Sequence, residues 1–177
     1  MPDEQMVEVI SHIAYDAVTL GASDKEAYFF SEQLGGGGTP KTLFETNMED
    51  GGKFASNSGF RMLGLRIGVL PDLTVALAVA LSKGFFQLFI GQKPYIELPI
   101  FAMSVGGGLF INSGDSSAGT TEYGMFGVPH QYSVAGLARP LTIDPGQVFS
   151  AKMTWPTAPT ACKVYVGLDG ELIRQIQ

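Results

Sequence analysis

"KVYVGLDGELIRQIQ", residues 163–177, is the stretch on which the reading of this chain turns. Lys163 to Leu168 and Glu171 to Ile176 set β-branched and large apolar side chains at alternating positions, the period of a half-buried strand. Between them stands Asp169-Gly170, a pair suited to the two positive-φ positions of a tight turn. The stretch therefore predicts a closing β-hairpin whose last strand pairs inside a sheet.

Further strands are predicted upstream. They cover "VFSAKMTW" (148–155), "PLTI" (140–143) and "YSVAGL" (132–137), and a second hairpin joins Phe85–Ile90 to Tyr95–Ile100 through Gly91-Gln92-Lys93-Pro94. In "FRMLGLRIGVL" (60–70) the odd-numbered Leu63, Leu65, Ile67 and Val69 are expected to face a core. Pro71-Asp72 stops that strand, and the alanine-rich "LTVALAVALSKG" (73–84) reads as a helix buried on most sides and ending at Gly84. "EAYFFSEQL" (26–34) and "KTLFET" (41–46) read as strands on either side of the turn "GGGGTP" (35–40), with a loop over 47–59. At the start, Met6, Val9, Ile10 and Ile13 stand at helical spacing and predict a short amphipathic helix over 4–14, with an extended arm as the rival within residues 1–25. Residues 104–129 form a glycine- and serine-rich excursion longer than a simple connection needs.

Eight or nine strands against one or two helices, without β-α-β units, predict an all-β sandwich or barrel. No repeat of fixed period points to a propeller or solenoid. At 177 residues the expectation is a single domain over 1–177, with roughly 70 % of the extended chain's surface removed from water.

Only 16 % of the residues are charged, so the surface is read as partly covered by partners. The net charge is −6 and the 11 Lys and Arg form no run of three, which argues against nucleic acid as a partner. The single cysteine, Cys162, excludes an intrachain disulfide and any multi-thiolate metal site; alternating with Val164 and Val166 on one strand face, it reads as an inert buried thiol. Met1-Pro2-Asp3-Glu4 lacks a basic start with an apolar run, and "LTVALAVAL" (73–81) is half a bilayer crossing, so a soluble protein of a reducing compartment is expected.

Chemistry-bearing constellations are sparse. His12 and His130 have no second His or Cys at ligand spacing, so the three or four convergent donors of a cupin-type site are not supplied. A "GxSxG" elbow is missing. Glu45, Glu49, Asp50, Glu97, Asp115 and Glu122 offer carboxylates for a glycosidase pair, with solvated acids as the plainer reading. Asn112, Ser113 and Asp115 offer hard oxygens to Ca²⁺ but begin no EF-hand loop. The "GGGG" and "GGG" runs at 35–38 and 106–108 lack a phosphate loop's lysine and helix. Trp155 is expected to bury its ring against a sheet edge, with sugar stacking beside Tyr123, Phe126 and Tyr132 as the sharper alternative. No catalytic, cofactor or metal residue is assigned.

"LFIGQKPYIELPI" (88–100), a long Gly-rich loop, "RPLTIDPGQVFSAKMTW" (139–155) and "VYVGLDGELIRQIQ" (164–177) together resemble, over residues 60–177, the single jelly-roll capsid proteins of tailless icosahedral bacteriophages. In size the chain is most similar to the small major capsid protein of the membrane-containing type. The resemblance implies an eight-stranded double-sheet jelly roll standing upright in a virion shell. It also implies assembly with copies of itself and with a second, larger capsid protein, above an internal membrane. Synthesis in the host cytoplasm, no enzymatic activity, no cofactor, and no direct contact with nucleic acid or a small-molecule substrate follow from it. The competing expectation is a carbohydrate- or receptor-binding β-sandwich module.

Overall fold

The computed structural model describes residues 7–70, 75–103, 109–112, 123–126 and 139–175. Ten strands run β1 (Val7–Leu20), β2 (Glu26–Phe29), β3 (Ser58–Leu70), β4 (Phe85–Ile90), β5 (Lys93–Pro99), β6 (Leu109–Asn112), β7 (Tyr123–Phe126), β8 (Leu141–Ile143), β9 (Phe149–Thr154) and β10 (Cys162–Gln175). One α-helix, α1 (Val75–Ser82), joins β3 to β4, and a short 3-10 helix (Ile100–Met103) follows β5. The strand expected over 132–137 and the Pro71-Asp72 stop lie outside the described residues.

Eight strands form two antiparallel sheets, ordered β1-β10-β3-β8 and β2-β9-β4-β5, while β6 and β7 pair as a separate hairpin. The pairing has a simple logic. β1 meets β10, β2 meets β9, β3 meets β8 and β4 meets β5, so the chain folds back on itself as one long ribbon. Rolling that ribbon adds the β10·β3 and β9·β4 pairs and closes a jelly roll. The inward side chains of both sheets make one cluster, with Phe60, Val164 and Leu168 from the first and Phe86, Leu88, Ala151 and Met153 from the second.

The expected closing hairpin is replaced by a single strand. Residues 162–175 run straight through Asp169-Gly170, pairing with β1 on one side and β3 on the other. Gly170 is not among the glycines with positive φ, and a Cβ there would lie 2.2 Å from the Arg61 carbonyl oxygen, so the glycine serves close strand approach. The register against β3 jumps at this point, from Asp169 opposite Gly64 to Gly170 opposite Met62. Leu63 is the unpaired extra residue of a β-bulge.

That bulge settles which side chains of β3 face inward. Before it the even positions Phe60 and Met62 are buried; after it Leu65 is buried and Ile67 and Val69 pack on the core, while Leu63 is 41 % exposed. The odd-position expectation thus holds only beyond the bulge. β10 needs no such switch: Val164, Val166 and Leu168 are buried, Leu172 packs on the same core, and all occupy even positions.

The helical spacing of Met6, Val9, Ile10 and Ile13 is realised as strand wherever it is described, and Met6 lies outside the described residues. A strand with apolar residues on both faces produces the same spacing. Ile10, Ala14, Val18 and Leu20 share the inner face, whereas Val7, Val9 and Ile13 are exposed on the outer one. Pairing along all of β10 outweighs local helix preference.

Two more expectations shorten. β2 stops at Phe29, because Phe30 takes φ +64° and turns the chain. "KTLFET" forms a tight turn instead of a strand: the Thr42 amide and hydroxyl donate to the Glu45 carboxylate at 2.9 and 3.2 Å, and the Glu45 amide donates to the Thr42 carbonyl at 2.9 Å, so side chain and backbone close the same turn. The β4–β5 hairpin and the helix appear where expected. Gly84 ends the helical segment with its amide on Leu81 O at 3.0 Å, and Trp155 Nε1 donates to the same carbonyl at 3.1 Å.

Parity makes the bulge testable. Deleting Leu63 joins Met62 to Gly64 in unbroken alternation and keeps Phe60, Met62, Leu65 and Ile67 inward, so that variant is expected to retain cooperative unfolding in urea. One alanine inserted between Leu65 and Arg66 would turn Ile67 and Val69 outward and should abolish that cooperativity. Leu63→Thr should stay within about 0.5 kcal/mol of the parent.

Candidate functional site

The antiparallel register places α1, the Gly21–Lys25 turn and residues 155–161 at one end of the jelly roll. The long connection from Phe30 to Asn57 lies at the other. This segment has no strand of its own, yet several anchors hold it, and the principal one is Asp16.

Asp16 occupies an even, inward position on β1 and is 0 % exposed. Its Oδ2 accepts the Phe30 amide at 2.7 Å and its Oδ1 accepts Lys41 Nζ at 2.7 Å. Burial pushes the carboxyl above its ordinary value, opposed by the Lys41 ammonium and by hydrogen bonds from Phe30 and Thr46. Every neighbour is a donor, so the site is built around the carboxylate form. The bond to Phe30 holds the one non-glycine residue with positive φ among the described residues, whose buried ring packs 5.2 Å from Phe149.

The same connection then covers part of the free edge of β1. The Ala17 amide donates to Glu45 O at 2.7 Å, the Tyr15 amide to Asn47 Oδ1 at 2.9 Å, and Asn47 Nδ2 to Ile13 O at 2.7 Å. Lys163 Nζ reaches Glu45 Oε1 at 2.5 Å and, with the Thr42 amide, lowers the Glu45 carboxyl to about 2.

Beneath this strap lies a cleft of about 230 Å³. Met48, Phe54 and Leu172 give it apolar walls, His12 and Asn57 contribute polar ones, and Glu49, Lys53 and Arg174 add charge. It is smaller than the roughly 300–1,000 Å³ of ordinary small-molecule pockets. His12 packs edge-on to Phe60 at 6.3 Å; burial lowers its pKa while Glu49 raises it. Ser58 also lines the cleft, but its hydroxyl donates to Asn57 Oδ1 at 3.2 Å, and His12 Nε2 lies 3.4 Å from Asn47 Nδ2. The nucleophile–base hydrogen bond that acyl transfer needs is not formed.

The candidate residues named from sequence are scattered. Glu45 is bound to Lys163, Asp50 sits 3.9 Å from Lys53, and Glu97 accepts from Gln87 Nε2 at 2.7 Å on the outer face of the second sheet. Of the four carboxylates among the described residues, Glu49 alone lines the cleft. Among the described residues no three His, Cys, Asp or Glu side chains gather as a metal site, and no helix is long and apolar enough to cross a membrane. Asn112 lies on β6, and Tyr123 and Phe126 on β7; Ser113, Asp115, Glu122, His130 and Tyr132 lie outside the described residues. Trp155 is 3 % exposed, so it is packing and cap, which removes the leading ring of the sugar-stacking alternative. Cys162 is half-buried and desolvation raises its thiol, as an unreactive strand cysteine requires.

Asp16 escaped the sequence reading because the helical interpretation of residues 4–14 hid the parity of β1. With Ile10, Ala14, Val18 and Leu20 inward, an acid at 16 stands out as a buried polar node. Compared with protein-family models, with curated proteins and with solved structures, the chain has no match in any of the three.

Asp16→Ala would leave the Lys41 ammonium and the Phe30 amide without their acceptor. The expected loss is about 3–5 kcal/mol in urea unfolding, with residues 30–57 opened to limited proteolysis; a loss below about 1 kcal/mol would refute the anchoring role. The Glu45–Lys163 contribution has its own pH window. Because the folded Glu45 pKa is depressed, that stabilisation is complete above the ordinary value of 4.5 and disappears as pH falls toward about 2. Lys163→Met should flatten this part of the stability profile.

Proposed function

We propose that this chain is a structural capsid protein: one jelly-roll subunit of a tailless, membrane-containing icosahedral phage shell, assembling with copies of itself and with a second, larger capsid protein. On this reading it resides in the virion after synthesis in the host cytoplasm. The observation that carries the proposal is the complete jelly-roll order of the two sheets, β1-β10-β3-β8 and β2-β9-β4-β5. Rolled ladders resist deformation while their ends and edges remain free to vary.

Surface features support the same reading. Val7, Val9, Ile13 and Leu63 lie exposed on the first sheet, and Leu43 and Phe44 are 65 % and 67 % exposed beside its β1 edge. Glu26, Lys152, Gln87 and Glu97 pair on the outside of the second sheet. Tyr28, Phe85 and Tyr95 are exposed on that second sheet as well, and Arg61–Glu171 and Arg66–Asp169 pair on the first. Apolar and charged groups are thus interspersed over both sheets, which suits a subunit with neighbours on either side. Shell strength then arises from modest contacts multiplied by symmetry.

The test is assembly. Purified protein, alone and co-expressed with the products of adjacent genes, is expected to form oligomers or closed particles in sedimentation and electron microscopy. A strictly monomeric species at high concentration that joins none of those products would overturn the reading.

A further inference from the structure

β1 has two distinct edges. One is paired with β10 along its whole length. On the other, the bonds made by Ile13, Tyr15 and Ala17 show that odd-numbered residues point their amides and carbonyls outward. The strap from residues 45–47 covers that edge from Ile13 onward. The edge groups of Val7, Val9 and Ser11 have no hydrogen-bond partner among the described residues, and the Val7 and Val9 side chains are 54 % and 53 % exposed. An uncovered, apolar edge strand is a template for another strand.

We propose that this edge pairs antiparallel with the same edge of a second copy, around a two-fold axis at Ile10. This rests on the self-association in the proposed function and names the surface that performs it. The sequence around the axis selects both occupant and register. A two-fold at Glu8 sets two carboxylates face to face, and one at Val9 sets each Glu8 against Ile10. With the axis at Ile10, the two isoleucines meet, Val9 stands opposite Ser11, Val7 stands opposite Ile13, and Glu8 of each copy stands opposite His12 of the other. Ile10 against Ile10 and Val7 against Ile13 are apolar pairs, Val9 meets the small Ser11, and Glu8, already ion-paired to Arg174 of its own chain, meets an imidazole, so no like charges face each other. Val9 and Ser11 supply the ladder bonds in both directions, and Ile13, whose carbonyl already accepts Asn47 Nδ2, marks where the strap takes over the edge. Ile10 forms a non-hydrogen-bonded pair, whose Cα atoms approach to about 4.5 Å. Isologous pairing of this kind closes on itself, so it yields a dimer and consumes the open edge.

Two independent variants test the surface. Val9→Pro removes an amide that points away from β10, so the internal ladder keeps its bonds; by symmetry the dimer loses a donor from each copy, and dissociation should rise roughly 10- to 100-fold in sedimentation equilibrium. Val9→Lys, on the solvent face, should weaken association in the same direction without touching the backbone. For the register, Ile10→Cys in a Cys162→Ser background should give a disulfide-linked dimer on mild oxidation, since the facing Cα atoms fall within bridging distance. Unfolding midpoints of the valine variants close to the parent's would show that the fold is intact.

A self-associating parent whose association survives both Val9 variants, with no Ile10→Cys cross-link, would overturn the edge assignment and leave the shell reading standing. A parent that neither self-associates nor joins neighbouring gene products would overturn both. A monomeric parent with the Val9 amide protected from hydrogen exchange would place the chain's own segment on the edge and exclude the dimer.

Discussion

β10 is paired on both sides through the middle of the first sheet, so its inward side chains must keep a single parity along their length. β1 obeys because its apolar residues alternate correctly. β3 cannot obey unaided, since its large side chains occupy even positions before residue 63 and odd positions after it. The bulge at Leu63 reconciles the strands by adding one residue to the outside of the sheet. Gly170 lets the backbones close over this point. The rest of the roll inherits its alignment from that junction, because β8 attaches to the part of β3 before the bulge and α1 follows the part after it.

The second sheet and the strap solve another problem. Residues 30–57 have little regular structure and few buried apolar side chains: Phe30, Met48 and Phe54. Three rings continue them into the core, with Phe54 stacked 4.9 Å from Phe60 and 5.1 Å from Phe149. Polar anchoring at Asp16 supplies direction. A buried ion pair adds little net stability compared with an apolar replacement, but its geometric demands restrict how the connection can lie. Here those demands draw Phe30 and Lys41, from the start and the middle of the connection, to a single carboxylate on β1.

Local signals with local consequences were legible from the sequence. The β4–β5 hairpin followed from alternation around Gly91, and the helix from an alanine-rich run ending at Gly84. Asp169-Gly170 misled because it carries the residue preference of a turn, whereas its conformation depends on the strands that flank it, 100 and 160 residues away along the chain. The β1 helix reading failed similarly: apolar residues on both faces of a strand imitate helical spacing. The Asp16 node was unreadable until the parity of β1 was established. The carboxylates singled out earlier were visible only as a composition; among the described ones, Glu45, Glu49 and Asp50 follow the course of the 30–57 connection and Glu97 the outer face of β5, which is why they do not converge.

At the opposite end from the strap, Trp155 is wedged between the helical turn and the backbone of Gly84, where even a methyl group would come within 2.3 Å of its ring nitrogen. It is the only tryptophan in the chain. Its ultraviolet emission is therefore a local gauge of how tightly α1 is seated against β9. Light from this indole reports loosening at the helix-bearing pole, while rearrangement of the Asp16 strap at the other pole leaves it dark to the observer and needs a separately installed dye.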